Sequence, residues 1–190
     1  SESGRDVHIM NAEVPGPMSG KLMPRLRDTA KTLYLIYLGL TVAEVIMLLF
    51  GGMNLFESLV HAFGTAGTGG FGVWNTSCGS YTTAQQAIIT VFILLFGVNF
   101  SCYYLLLLRQ FRSVFKDEEL RLYFGLAIGS VILIVLNVRP MYGSFGETLR
   151  HAAFQVSSIM TTTGFATTDF DLWPSFAKGI LLMLMIVGAS

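Results

Sequence analysis

The sequence predicts an all-α membrane protein of two tandem units, each with a spanning helix, a short helix, a glycine-rich loop and a second spanning helix. Of its 190 residues, 53% are hydrophobic and 13% are charged, whereas a soluble domain usually carries about 25% charged residues. Several apolar runs recur along the chain, and their length is close to that of a membrane-spanning helix, roughly 20 residues. The order of long run, short run and glycine loop occurs twice.

The first unit is expected over residues 32–108, after a polar connector at 1–31 that carries prolines and spread basic residues. The run 32–50 is just long enough to span. Glu44 interrupts it, either as a snorkelling or protonated residue near the outer end, or as a carboxylate that orients a helix or binds a cation.

The short helix of this unit is expected at 52–64, and it leads into the sequence TGGFG at 68–72. A polar loop follows at 73–83. The apolar run 84–108 predicts one continuous spanning helix, ended by Arg109.

The second unit is expected over residues 120–190, after a charged loop at 109–119. A span at 120–138 precedes a short helix at 143–158 and a second glycine loop. The last apolar run stops without a basic flank, which suggests that the chain is part of a longer protein.

The two glycine loops fall in register at an offset of 94 positions, which pairs Thr68 with Thr162 and Gly70 with Gly164. Identity is low elsewhere, so the duplication rests on the shared order of elements and on these glycines. Internal repeats are a common construction of transport proteins.

The basic residues predict the orientation of the chain. Residues 1–31 and 109–121 hold nine of the twelve Lys and Arg residues, whereas 51–83 holds none. By the positive-inside rule, the connectors at 1–31 and 109–119 are cytoplasmic and both glycine loops lie on the outer side.

The glycine loops predict a site for a cation. The C-terminal end of each short helix carries partial negative charge and points at its loop. Glycine permits backbone angles that turn successive carbonyls inward, and a ring of carbonyls can replace the hydration shell of K⁺. The alternative is a plain turn between helices. A ring needs about four contributors, and this chain offers two.

Other chemistry has little support in the sequence. Cys78 and Cys102 are expected to be free thiols, and His61 and His151 to be hydrogen-bonded packing residues. No Cys/His cluster has the spacing of metal ligands, and no Ser/His or paired-Asp arrangement supports an intramembrane enzyme. The net charge of zero implies no nucleic acid.

Four motifs resemble one family, the Trk/Ktr/HKT superfamily of potassium transporters, and most closely the bacterial Trk potassium-uptake membrane subunit. They are AEVPGP at 12–17, PRLRDTAKTL at 24–33, HAFGTAGTGGFG at 61–72 and FQVSSIMTTTGFATTDFDLW at 154–173. The resemblance covers nearly the whole chain and matches the second and third of that family's four pore units.

The resemblance implies a pseudo-fourfold, carbonyl-lined filter for K⁺, which is the transported ion rather than a cofactor. It also implies a homodimer in the lipid bilayer of the cell membrane and a cytoplasmic nucleotide-binding regulatory subunit. Crowded glycines in the first loop depart from the pattern and suggest weaker selectivity. The filter residues carried over are Thr68, Gly69, Gly70, Thr162, Thr163 and Gly164.

Three alternatives to a Trk-type transporter remain. A tandem-pore potassium channel, or an unselective cation channel, would also place glycine loops between spans, although a potassium channel predicts a fuller TVGYG in both. An intramembrane enzyme would need a Ser/His or paired-Asp arrangement, which this sequence lacks. An assembly subunit that transports nothing would leave the glycines free to vary.

Overall fold

The computed structural model describes residues 22–188, and all regular structure in that range is helical, which confirms the predicted all-α fold class. The motif at 12–17 and most of the connector at 1–31 lie outside the described residues. In chain order the helices are α1 (Leu22–Phe50), α2 (Leu55–Ala66), α3 (Thr83–Phe96), α4 (Phe100–Leu107), α5 (Phe111–Lys116), α6 (Glu118–Val138), α7 (Phe145–Met160) and α8 (Ser175–Gly188). Short 3₁₀ turns occupy Arg139–Met141 and Phe170–Leu172.

Between residues 22 and 188, two helices are long and apolar enough to cross a bilayer without interruption. In α1 the apolar part is Thr29–Phe50, and in α6 it extends through the 3₁₀ turn as Glu118–Met141. At 1.5 Å per residue, each exceeds the roughly 30 Å of the hydrocarbon layer. Helix α1 begins ten residues before the apolar run at 32–50, and Pro24 lies in its first turn, where proline costs no helical hydrogen bond.

The second span of the first unit is broken, so the prediction of one continuous helix over 84–108 was wrong. Helices α3 and α4 meet at an angle of 86°. Asn99 begins α4 by accepting a hydrogen bond from the Ser101 amide on its side chain, and this N-cap competes with helix continuation. Gly97 ends α3 and lowers the cost of a break.

The short helices α2 and α7 form near the predicted positions because polar side chains cap their first turns. Asn54 accepts from the Glu57 amide, and Ser144 accepts from the Glu147 amide. Each helix also carries an acidic residue in that first turn, which suits the positive end of the helix dipole.

The two units share one buried core. Helix α1 packs on α2, α3 and α4, helix α7 packs on α6 and α8, and α3 packs on α7 and so joins the units. One cluster of fully buried side chains includes residues from both units: Leu48, Ile89, Ile93, Phe154 and Phe165. This shared core holds the ends of α2 and α7, and therefore both glycine loops, side by side.

Candidate selectivity filter

The first glycine loop turns back onto the end of α2. The Thr68 amide donates to the carbonyl oxygen of Thr65 (3.1 Å), and the Gly69 and Gly70 amides both donate to that of Gly64 (2.8 and 3.5 Å). Thr68 and Gly70 have positive φ angles of 48° and 64°. The loop is therefore tied to the last turn of the helix through its N–H groups.

The second glycine loop repeats this backbone arrangement 94 positions later. The Thr162 amide donates to the carbonyl oxygen of Ile159 (3.1 Å), and the Thr163 and Gly164 amides donate to that of Ser158 (2.8 and 3.3 Å). Thr162 and Gly164 also have positive φ angles, of 60° and 86°. The backbone thus supports the duplication that the sequence indicated at only a few positions.

The direction of the loop carbonyls follows from these hydrogen bonds. In a planar trans peptide the C=O points opposite to the N–H of the next residue. Because the Gly69 and Gly70 amides point at the helix end, the carbonyls of Thr68 and Gly69 point away from it. The Thr163 and Gly164 amides impose the same direction on the carbonyls of Thr162 and Thr163. Within the described residues, none of these four oxygens accepts a hydrogen bond.

The two loops approach each other closely at Gly70. A Cβ atom there would collide with the carbonyl oxygen of Thr163, and it would lie 3.1 Å from the carbonyl carbon of Gly164. At Gly164, in contrast, a Cβ atom would meet nothing within 4 Å among the described residues. Glycine is therefore required at 70 by contact and by backbone angle, and at 164 by backbone angle.

Residues outside the predicted filter brace the second loop. The buried Ser158 hydroxyl donates to the carbonyl oxygen of Phe165 (2.6 Å). From the first unit, Ser77 accepts from the Ala166 amide (3.1 Å) and the Cys78 amide donates to the Ala166 carbonyl (2.8 Å). No signal in the sequence indicated the Ser77 and Cys78 contacts, because the partners lie in different units.

The histidines of the short helices are buried packing residues with hydrogen bonds, as predicted. Nδ1 of His61 donates to the carbonyl oxygen of Glu57 (2.8 Å), and Nδ1 of His151 lies 2.8 Å from the Thr167 hydroxyl. The His61 ring also meets Tyr81 edge-on, with ring centroids 4.9 Å apart. Both histidines therefore support the segments that follow the glycine loops.

Glu44 is fully buried, so the interpretation that it snorkels to the membrane surface was wrong. Its carboxyl group lies near the Thr65 side chain in the last turn of α2. Neither carboxyl oxygen has a hydrogen-bond partner within the described residues. The Thr65 hydroxyl instead donates to the carbonyl oxygen of His61 (2.8 Å).

Comparison with known proteins decides the family. A sequence model of the TrkH family, described as "Cation transport protein", matches residues 6–190. The chain belongs to the TrkH family. Its relatives include the Trk system potassium uptake protein TrkH of Salmonella typhimurium, 37% identical over 187 residues. The Trk system potassium uptake protein TrkG of Escherichia coli is 32% identical over 185 residues.

A solved structure agrees with the family assignment. The potassium transporter TrkH from Vibrio parahaemolyticus superimposes with a TM-score of 0.78 and 31% sequence identity, covering 94% of this chain and 39% of that one. The alignment with the Salmonella relative covers 96% of this chain and 39% of that protein. The alignment with TrkG covers 95% of this chain and 38% of that protein. It therefore spans about two-fifths of the length of these TrkH-family proteins. With its apolar helices, it is a membrane protein.

Proposed function

We propose that the chain forms half of a pseudo-fourfold pore for potassium uptake across the cell membrane. The observation that carries this proposal is the repeated loop geometry, which turns two successive carbonyls away from each short helix at equivalent positions. The names of the relatives support K⁺ as the ion, since they are potassium uptake proteins. The family supports cation transport rather than catalysis.

The filter would consist of Thr68, Gly69 and Gly70 from one unit and Thr162, Thr163 and Gly164 from the other. The carbonyls of Thr68 and Thr162 would form one level, and those of Gly69 and Thr163 the next. Each level would replace part of the hydration shell of K⁺. Two further loops from outside this chain would complete each ring.

The setting follows from the charge pattern and the family. We place the filter loops on the outer side of the inner or plasma membrane, and the segments 1–31 and 109–119 in the cytoplasm, on the positive-inside rule. The pore units would occupy 32–108 and 120–190. Assembly as a homodimer, with a cytoplasmic nucleotide-binding regulatory subunit, is part of the same proposal.

Growth of a potassium-uptake-deficient strain on low K⁺ tests the filter assignment. The full-length protein would carry Gly70→Ser, Gly164→Ser or the control Gly129→Ala, because a Cβ atom at Gly129 in α6 meets nothing within 4 Å. We expect both serine variants to impair growth or admit Na⁺, whereas the control grows like the parent. The assignment is wrong if both serine variants keep the growth and the K⁺/Na⁺ preference of the parent.

A graded pair separates the two glycines. Gly70→Ala introduces both a collision with the Thr163 carbonyl and a strained backbone angle, whereas Gly164→Ala introduces the strain alone. We therefore expect the larger loss of ⁸⁶Rb⁺ uptake from Gly70→Ala. Equal losses would contradict the close approach of the two loops.

A further inference from the structure

The break between α3 and α4 lies directly against the base of the second filter loop. A Cβ atom at Gly97 would come too close to two atoms, the Tyr123 hydroxyl oxygen and the Thr161 Cγ2. Thr161 is the residue that ends α7 and begins the second loop. Gly97 has an ordinary helical φ of −77°, so its backbone angle does not call for glycine. The requirement for glycine there is purely one of contact.

Two tyrosine hydroxyls donate to carbonyls in the last turn of α3. A helix end leaves its last carbonyls without partners in the helix. The Tyr123 hydroxyl, from α6, donates to the Leu94 carbonyl (3.1 Å), and the Tyr103 hydroxyl, from α4, donates to the Leu95 carbonyl (2.7 Å). Tyr123 therefore both caps α3 and holds its hydroxyl beside Gly97.

A second tie joins the break to α6. The Asn99 side-chain amide donates to a carboxylate oxygen of Glu119 in the first turn of that helix (3.0 Å). Helix α6 thus holds the chain on both sides of Gly97. Tyr123 contacts Leu94 before it, and Glu119 contacts Asn99 after it.

The contact continues into the filter through hydroxyl groups. The Thr161 hydroxyl lies 2.8 Å from the carbonyl oxygen of Ser157 and 2.8 Å from the Thr163 hydroxyl. Thr163 is 2% exposed, so water cannot readily replace the Thr161 hydroxyl as the hydrogen-bond partner of its side chain. Its carbonyl is one of the four that point away from the short helices.

We propose that Gly97 and Tyr123 are positioning residues for the second filter loop, acting through Thr161 on Thr163. Gly97 provides the space that lets Thr161 keep its hydroxyl on Thr163, and Tyr123 fixes the end of α3 that borders this space. A span of the first unit thereby sets the geometry of the filter loop of the second. This inference rests on the proposed filter function.

Two pairs of variants in the full-length protein test the link through selectivity. Thr161→Val keeps the shape of the side chain and removes the hydroxyl, whereas Thr161→Ser keeps the hydroxyl and removes the methyl group. Gly97→Ala adds the colliding atom, and Gly129→Ala is its control in open space. We expect Thr161→Val and Gly97→Ala to lower the ratio of ⁸⁶Rb⁺ to ²²Na⁺ uptake several-fold, and the other two to leave it unchanged.

A compensating variant addresses the case in which Gly97→Ala folds poorly. Adding Thr161→Ser to Gly97→Ala removes the methyl carbon that the new Cβ would meet, and it keeps the Tyr123 hydroxyl that caps α3. We expect this double variant to regain part of the protein level and part of the uptake ratio. The inference is overturned if Thr161→Val keeps the ratio of the parent, or if the double variant recovers its protein level but none of its ratio.

A measurement without transport separates this inference from the proposed function. The thermal stabilisation of the purified full-length protein by K⁺, compared with Na⁺, reports how much more tightly the folded protein binds K⁺. We expect Thr161→Val to weaken the preference for K⁺ in this assay and Thr161→Ser to keep it. Failure of the parent to take up K⁺ would count against the proposed function, whereas equal K⁺ preference in both threonine variants would count against the positioning role.

Discussion

The His61 ring in α2 stacks on the Phe165 ring of the second glycine loop, with ring centroids 5.4 Å apart and planes inclined by 19°. Phe165 is fully buried and also covers Gly64, the residue whose carbonyl holds the first loop. One aromatic ring therefore touches the supports of both loops.

This contact predicts that a methyl group at Gly64 is poorly tolerated. Its Cβ would lie 2.9 Å from Cζ of Phe165 and 3.2 Å from the Phe71 carbonyl oxygen. We expect Gly64→Ala to cost about 1–3 kcal/mol through overpacking, seen as a lower melting temperature of the full-length protein. Gly146→Ala, in open space on α7, is the matched control. An unchanged melting temperature for Gly64→Ala would mean that Phe165 is free to move.

Two adjacent buried serines in α7 predict different costs of losing a hydroxyl. Ser158 donates to the Phe165 carbonyl (2.6 Å), whereas Ser157 donates to the Phe154 carbonyl (2.8 Å) within the helix. The Phe154 carbonyl keeps its helical partner when Ser157 is changed. The Phe165 carbonyl has no such substitute, so Ser158→Ala should cost about 1–3 kcal/mol. We expect a larger fall in melting temperature for Ser158→Ala than for Ser157→Ala, and equal falls would contradict the brace.

The unpartnered carboxyl group of Glu44 predicts an unusual result for its removal. A buried polar group without a hydrogen bond costs stability, and replacing it with an apolar side chain is often neutral or stabilising. We therefore expect Glu44→Leu to keep or raise the melting temperature of the full-length protein, and Glu44→Ala to lower it by leaving a cavity. A large loss for Glu44→Leu would instead favour the alternative that Glu44 orients a helix or binds a cation.

The thiol of Cys78 is predicted to be inert. Burial in the polar segment after the first glycine loop raises its pKa to about 12, and the thiolate is the reactive form. Below this pKa the thiol stays protonated, so alkylation by a maleimide should remain negligible from about pH 7 to 9 in a Cys102→Ser background. Ser80→Cys, on the same loop, provides an exposed control. Rapid labelling of native Cys78 would show that the loop opens.

The sequence was informative where the signal is local. Asn54 and Ser144 cap the short helices, and hydropathy separates these helices from the spans. Gly70 and Gly164 indicated the two loops because a positive φ angle favours glycine at the very residue that adopts it.

Features that depend on distant contacts were not predictable in this way. Gly97 and Asn99 lie inside a run that is apolar enough to span, so composition favoured one straight helix over the break. Their partners, Tyr123 and Glu119, belong to another helix. The burial of Glu44 likewise depends on α2 packing against α1, which hydropathy does not report.

The bonds from Ser77 and Cys78 to Ala166 have a consequence for biogenesis. They join residues 89 and 88 positions apart, and such distant contacts form slowly because closing a long loop costs chain entropy before the contact stabilises it. During synthesis, the second loop therefore cannot reach its final shape when it leaves the ribosome. It reaches that shape only after both short helices and their glycine loops have entered the membrane and come into contact. Maturation of the second glycine loop is thus a late step that follows insertion of the helices.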